Sequence, residues 1–135
     1  MTMRDFGIEL YERWAAIWNR ELPVEDVMAP EFTLRYAQPG VSVYDDIHDP
    51  VAFAEQIEVF HKQIPGLVFA PQGVPVVEMD ETGTGLVAQP YGVTITRPGE
   101  KVVELSGTDI LRAENGRIVE VWSVSGGLGG RSFYA

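Results

Sequence analysis

Asp109 is the first residue of this chain whose type and position suggest chemistry. The stretch "GTDILRAENGRIVEVW", residues 107–122, reads as two strands joined by a tight turn, and Val103, Leu105, Asp109 and Leu111 share one parity of the first strand. Successive strand side chains point to opposite faces, so this carboxyl falls on the apolar side. A carboxylate withdrawn from water is costly, and it finds a partner or takes up a proton. Such a group can act as acid, base or hydrogen-bond donor. It can equally pair with a neighbouring hydroxyl, an arginine or a partner subunit.

Other polar residues fall near the same surface. His61 follows Phe60 on a helical segment, and histidine, which titrates nearest neutral pH, is the best proton shuttle in the sequence. The adjacent Lys62 leaves a solvent-edge position open for it. Tyr36 lies on the Phe32/Leu34 face of a strand, but tyrosine holds its proton to about pH 10 and is a poor base at neutrality. Gln89 interrupts the apolar parity of Val87, Tyr91, Val93 and Ile95, so Gln89 and Tyr91 can orient a substrate carbonyl or cross-pair with Asp109. Trp14, Trp18, Phe32, Phe53, Phe60 and Trp122 offer aromatic surface for a flat, ring-containing ligand, or plain core.

These residues need elements to position them. Phe6, Leu10, Trp14, Ile17 and Trp18 form one helical stripe, which predicts a helix from Asp5 to about Glu21. Pro23 followed by Val24, Val27 and Met28 predicts a second, short helix, and "EFTLRYA" a first strand. Asp49-Pro50 is a good helix start, opening a third helix that runs to about Ile64 before Pro65-Gly66. Segments 67–71, 74–79, 85–96, 101–112 and 117–125 then read as strands of an antiparallel meander, separated by "PQG", "DETGTG", "RPGEK" and "ENG". Helices followed by strands indicate an α+β layer fold, a single domain over 1–125 with a glycine-rich tail over 126–135. The tail is expected to be mobile unless Phe133 and Tyr134 dock.

With 135 residues the chain is long enough to bury a core and a pocket. It contains no cysteine, which excludes disulfide and thiol chemistry. A net charge of -10 argues against nucleic acid or an anionic membrane as partner, since both select for clustered Lys and Arg. No run approaches a membrane span, and "MTMRDFGIELYERW" lacks a basic flank before an apolar block, so a cytoplasmic location is expected. Asp45, Asp46, His48 and Asp49 lack a metal-ligand pattern, and no metal or cofactor is expected; His48 reads as a loop residue. The glycine-rich tail is no phosphate loop, and no serine sits in a nucleophile elbow.

The order of helix, short helix, strand, long helix and bent meander, with "WAAIWN", "APEFTLRY" and the "GTDILRAENGRIVEVW" hairpin in sequence, resembles the SnoaL-like branch of the nuclear transport factor 2-like (NTF2-like) superfamily over nearly the whole chain. The resemblance implies a cone, with three N-terminal helices packed on a strongly curved antiparallel sheet around an apolar pocket. Relatives include polyketide cyclases, ketosteroid isomerases, epoxide hydrolases, dehydratases and proteins that only bind, so fold alone does not decide function. On the resemblance, Asp109 falls where ketosteroid isomerases carry the neutral acid of their oxyanion hole. Tyr36 stands where they carry the carboxylate base, and His61 where they carry a supporting tyrosine. Two departures follow. "WSVSGG" supplies serines where epoxide hydrolases of this type want a second carboxylate, and "TRPGEK" replaces the longer insertion of many polyketide cyclases.

The reading that results is a cofactor-free isomerase, cyclase or dehydratase acting on a small hydrophobic carbonyl compound, with Asp109, His61 and Tyr36 as its acid/base set. The alternatives are a non-catalytic binding module and a dimerisation module of the same fold. The expected partners are a small hydrophobic molecule and a second copy of the chain, docked through a Val- and Ile-rich sheet face.

Overall fold

The computed structural model describes residues 1–135. It contains two α-helices, α1 (Met3–Trp18) and α2 (Pro50–Gln63), and six strands. The strands are β1 (Met28–Tyr36), β2 (Leu67–Pro71), β3 (Val76–Met79), β4 (Gly85–Ile95), β5 (Val103–Glu114) and β6 (Arg117–Ser125). The short helix expected after Pro23 is only a 3-10 turn over Val24–Asp26, and β1 begins at Met28, earlier than "EFTLRYA" suggests. Val27 and Met28 at helical spacing are buried by the turn and the strand start instead, so the helix count is two.

Both helices start on side-chain caps. Thr2 and Asp5 form a reciprocal capping box that opens α1 two residues earlier than its apolar stripe does. Asp49 accepts the Ala52 N–H at 2.9 Å with Pro50 in the first turn of α2. The last turn of α1 is tied to β2 through Asn19, whose amide exchanges bonds of 2.7 and 2.8 Å with the backbone of Phe69. α1 lays Leu10, Tyr11, Trp14, Ile17 and Trp18 onto the sheet, and these form one core with α2 and the inward residues of β1, β4, β5 and β6.

The sheet runs in the order β1-β6-β5-β4-β2, with β3 sharing the outer edge of β4. Strands β2 to β6 pair antiparallel, but β2 skips β3 to pair with β4, so the expected meander runs only from β3 to β6, and β1 lies parallel to β6. The hairpin between β5 and β6 turns on Asn115 and Gly116, both at positive φ (50° and 83°), the geometry that favours Asn-Gly in two-residue hairpins. Just beyond it the ladder slips: Arg112 faces Glu120 but Ala113 faces Ile118, which leaves Val119 as an extra, bulged residue. Ile118 therefore points inward, as do Val121 and Ser123, while Glu120, Trp122 and Val124 lie on the other face.

The tail is pinned by its backbone. The Ser106 N–H donates to the Arg131 carbonyl at 3.0 Å, and the Phe133 N–H to the Ser106 hydroxyl at 2.9 Å. The rings of Phe133 and Tyr134 stay mostly exposed.

Candidate functional site

Curvature of the sheet beneath α1 leaves a cavity of about 530 Å³, walled mainly by apolar and aromatic side chains. The strand registers organise its floor. Gln89 of β4 pairs with Asp109, Asp109 with Ser123 of β6, and Ser123 with Tyr36 of β1, so one polar row crosses four strands. Neighbouring strands lie about 4.8 Å apart, which puts the Tyr36 backbone roughly 10 Å from that of Asp109. A second row, one inward position along, runs from Tyr91 through Gly107 to Ser125.

Asp109 is buried, and its Oδ2 accepts the indole N–H of Trp14 at 2.8 Å. Its Oδ1 has no hydrogen-bond partner. Burial raises the carboxyl pKa to about 6, with the nearby Ser123 hydroxyl and the Trp14 indole pulling the other way. Ser123 closes no bond of good geometry on Oδ1, so the indole is the firm partner. Because Oδ2 is committed as an acceptor, the proton of the neutral acid belongs on Oδ1.

The tyrosines facing this acid are donors. Burial, and then the Asp109 charge, push the pKa of Tyr36 and of Tyr91 further up, and burial raises Tyr44 to about 12. Tyr36 stacks on Tyr44 with ring centroids 4.5 Å apart. The Tyr91 ring lies across Gly107, where a Cβ would stand 2.5 Å from Tyr91 Cζ, so only glycine lets its hydroxyl reach toward Ser123 and Ser125. Among the groups lining the cavity, Asp109 is therefore the one poised to exchange a proton near neutrality.

Trp14, Trp18, Tyr36, Phe60, Tyr91 and Asp109 line the cavity together. Five other residues expected at the site lie elsewhere. His61 is buried, but its Nε2 bonds the Trp18 carbonyl at 2.6 Å, satisfying one of the free carbonyls at the end of α1, and it does not reach the cavity. Gln89 shares the row of Asp109 yet turns its amide to the Gln72 carbonyl at 3.0 Å, while its backbone carbonyl accepts the buried Tyr11 hydroxyl. Phe32 and Phe53 pack behind Trp14 as core. Trp122 is 36% exposed on the convex face, because the Val119 bulge reverses the alternation that would carry it inward. His48, as expected, sits in a loop, where Nδ1 bonds the Phe32 carbonyl at 3.0 Å.

Residues that the sequence did not single out complete the wall. Tyr44 comes from a 3-10 turn inside the loop "QPGVSVYDDIHD", where Val41, Val43 and Tyr44 were apolar signals in a polar context. Ser123 and Ser125 are inward only because of the bulge.

No protein-family model matches the sequence, and no curated protein matches it at the level of sequence. Solved structures match the fold. A candidate polyketide cyclase from Acidithiobacillus ferrooxidans superposes with a TM-score of 0.70 at 18% identity, covering 96% of this chain and 92% of its own. A candidate isomerase of the SnoaL-like family from Agrobacterium tumefaciens gives 0.66 at 20% identity, covering 90% and 97%. IdmH, a candidate polyketide cyclase from Streptomyces antibioticus, gives 0.66 at 19%, covering 90% and 91%. The likeness is one of fold: this chain has the α+β fold of these structures, a curved sheet with helices packed against one face.

Proposed function

We propose that the protein is a cofactor-free acid/base catalyst of the SnoaL-like kind, acting on a small apolar carbonyl compound held in the cavity. The observation that carries this reading is the Asp109 carboxyl, one oxygen tied to Trp14 and the other unpaired, with its pKa raised to about 6. A pKa near the working pH suits a group that both removes and returns a proton. Ionised Asp109 takes a proton from the carbon next to the carbonyl, and the electron pair moves to the oxygen as an enolate. Tyr91, with Tyr36 across the floor, donates hydrogen bonds to that oxygen, and the protonated acid returns its proton to the conjugated carbon. The net result is an isomerisation. His61 and Gln89 take no part.

The test is a series of β,γ-unsaturated ketones followed by absorbance as the double bond moves into conjugation. The rate should fall below about pH 6 as the base is protonated, and Asp109→Asn should lower kcat by about 10²- to 10⁴-fold. A variant with full activity removes Asp109 from catalysis.

A binding role without turnover is favoured by one observation: no second group able to exchange a proton near neutrality faces Asp109 across the cavity. On that reading the Asn variant binds ligand and the wild type turns nothing over. The dimer expected through the sheet rests on Ile110, Trp122 and Val124, neighbours on the convex face that are 38%, 36% and 51% exposed. Sedimentation of Trp122→Glu against wild type checks it.

A further inference from the structure

Two buried side-chain oxygens in the whole protein lack a hydrogen-bond partner, Asp109 Oδ1 and Gln38 Oε1, and both residues line the same cavity. More than nine in ten buried polar groups in folded proteins are paired, and each unmade bond costs about 1–3 kcal/mol, so two on one cavity need a common reason. Gln38 follows Tyr36 by two residues at the end of β1. Pro39 after it disfavours helical backbone, which keeps the chain leading away from the Tyr36 row. Asp109 sits two strands away on β5, so the two oxygens lie on the order of 10 Å apart. Between them the wall is aromatic: Trp18, Tyr36, Tyr44, Phe60 and Phe69, with Trp18 within 6.4 Å, centroid to centroid, of each of the other four.

We infer that Gln38 is the second polar anchor of the cavity and decides its specificity: the ligand is a flat, ring-bearing molecule with an oxygen at one end seated on the floor beside Asp109 and Tyr91 and a donor at the far end for Gln38. A molecule with a single polar end leaves Gln38 Oε1 sealed and unpaired, a loss that only a two-ended ligand recovers. This rests on the reading of the cavity as a ligand site with Asp109 on its floor.

Three probes of one bicyclic skeleton separate the effects: 2-naphthol, 1,3-dihydroxynaphthalene and 2,6-dihydroxynaphthalene, titrated calorimetrically into the whole protein. Wild type should bind the 2,6-diol about tenfold more tightly than the other two, a ratio equivalent to about 1.4 kcal/mol. Gln38→Leu should reduce that ratio to about threefold or less and leave 2-naphthol affinity at or above that of wild type. Because the readout is a ratio within one protein, a modest loss of stability in the variant cancels. Equal binding of all three probes by wild type, an unchanged ratio in Gln38→Leu, or no binding of any probe at millimolar concentration overturns the inference. The two readings fail separately. Asp109→Asn that leaves every affinity unchanged removes the floor contact, whereas an unchanged ratio in Gln38→Leu removes only the second anchor.

Discussion

Asp109 and Glu120 are acids on adjacent strands of one hairpin, facing opposite sides of the sheet, and their proton affinities move in opposite directions. Glu120 accepts the Arg35 Nε at 2.6 Å and the Arg112 Nε at 2.9 Å, and these bonds hold its carboxyl below the ordinary range. Asp109 has an indole N–H and no cation, and desolvation raises it to about 6. On the convex face the sequence supplies a charge for a charge. On the concave face it buries an acid and leaves it without one, at a cost to folding.

The register of β6 beyond the Val119 bulge decides which face each residue takes, so a one-residue shift there tests the contrast most severely. An alanine inserted between Glu120 and Val121 turns Val121 and Ser123 outward and Trp122 inward, and should cost about 4 kcal/mol or more in urea unfolding followed by tryptophan fluorescence. An insertion that unfolds within about 1 kcal/mol of wild type would show that register along β6 does not sort the faces.

Asp109→Asn reads the burden on the concave face. The folded pKa of about 6 lies above the ordinary 3.8, so the folded state holds the proton more tightly. Wild-type stability from this group is greatest below the lower value and falls as pH rises through the higher one. At pH 7 the Asn variant should therefore be more stable by about 1–3 kcal/mol, an advantage that fades toward pH 4 in the same unfolding series. A constant difference across that range would contradict the raised pKa.

Trp14→Phe removes the one firm donor to Asp109. The carboxyl pKa should climb further above 6, read by carbon-13 NMR titration, with a stability loss of about 1–2 kcal/mol. A downward move would mean that the indole does not stabilise the charged form.

The smallest effect belongs to Glu120→Gln. The depressed pKa means that its contribution is present above the ordinary carboxyl range and is lost as pH falls through the folded value. Both arginines are more than a third exposed, so the loss at pH 7 should stay below about 1 kcal/mol and shrink in 1 M salt. A larger, salt-independent loss would make the convex pair more than a surface ion network.

Much of this was legible in the residues. Parity alone placed Asp109 inside, the apolar stripe placed Trp14 and Trp18 over the sheet, and Asp49-Pro50 opened α2. Trp122 was expected among the pocket aromatics and Ser123 was given no face, both for one reason: a bulge is a property of pairing between strands, and no local signal at Val119 announces the extra residue. His61 failed differently. Its position on α2 was read correctly, but its nitrogen was claimed by the open end of another helix, a long-range contact that spacing cannot reveal. Tyr44 was hidden in a loop whose polar neighbours outweighed its own apolar character.

The parallel pairing of β1 with β6 has a consequence for when the cavity comes into being. β1 is the first strand of the sheet and β6 the last, so Tyr36 cannot stand opposite Ser123 until every other strand of the sheet has been synthesised. Every other pairing in the sheet closes a shorter loop. Contacts between distant parts of a chain form slowly, because loop-closure entropy is lost before any contact repays it. The β5–β6 hairpin carrying Asp109 can therefore exist before the wall opposite it, and the cavity closes only when the last strand has docked.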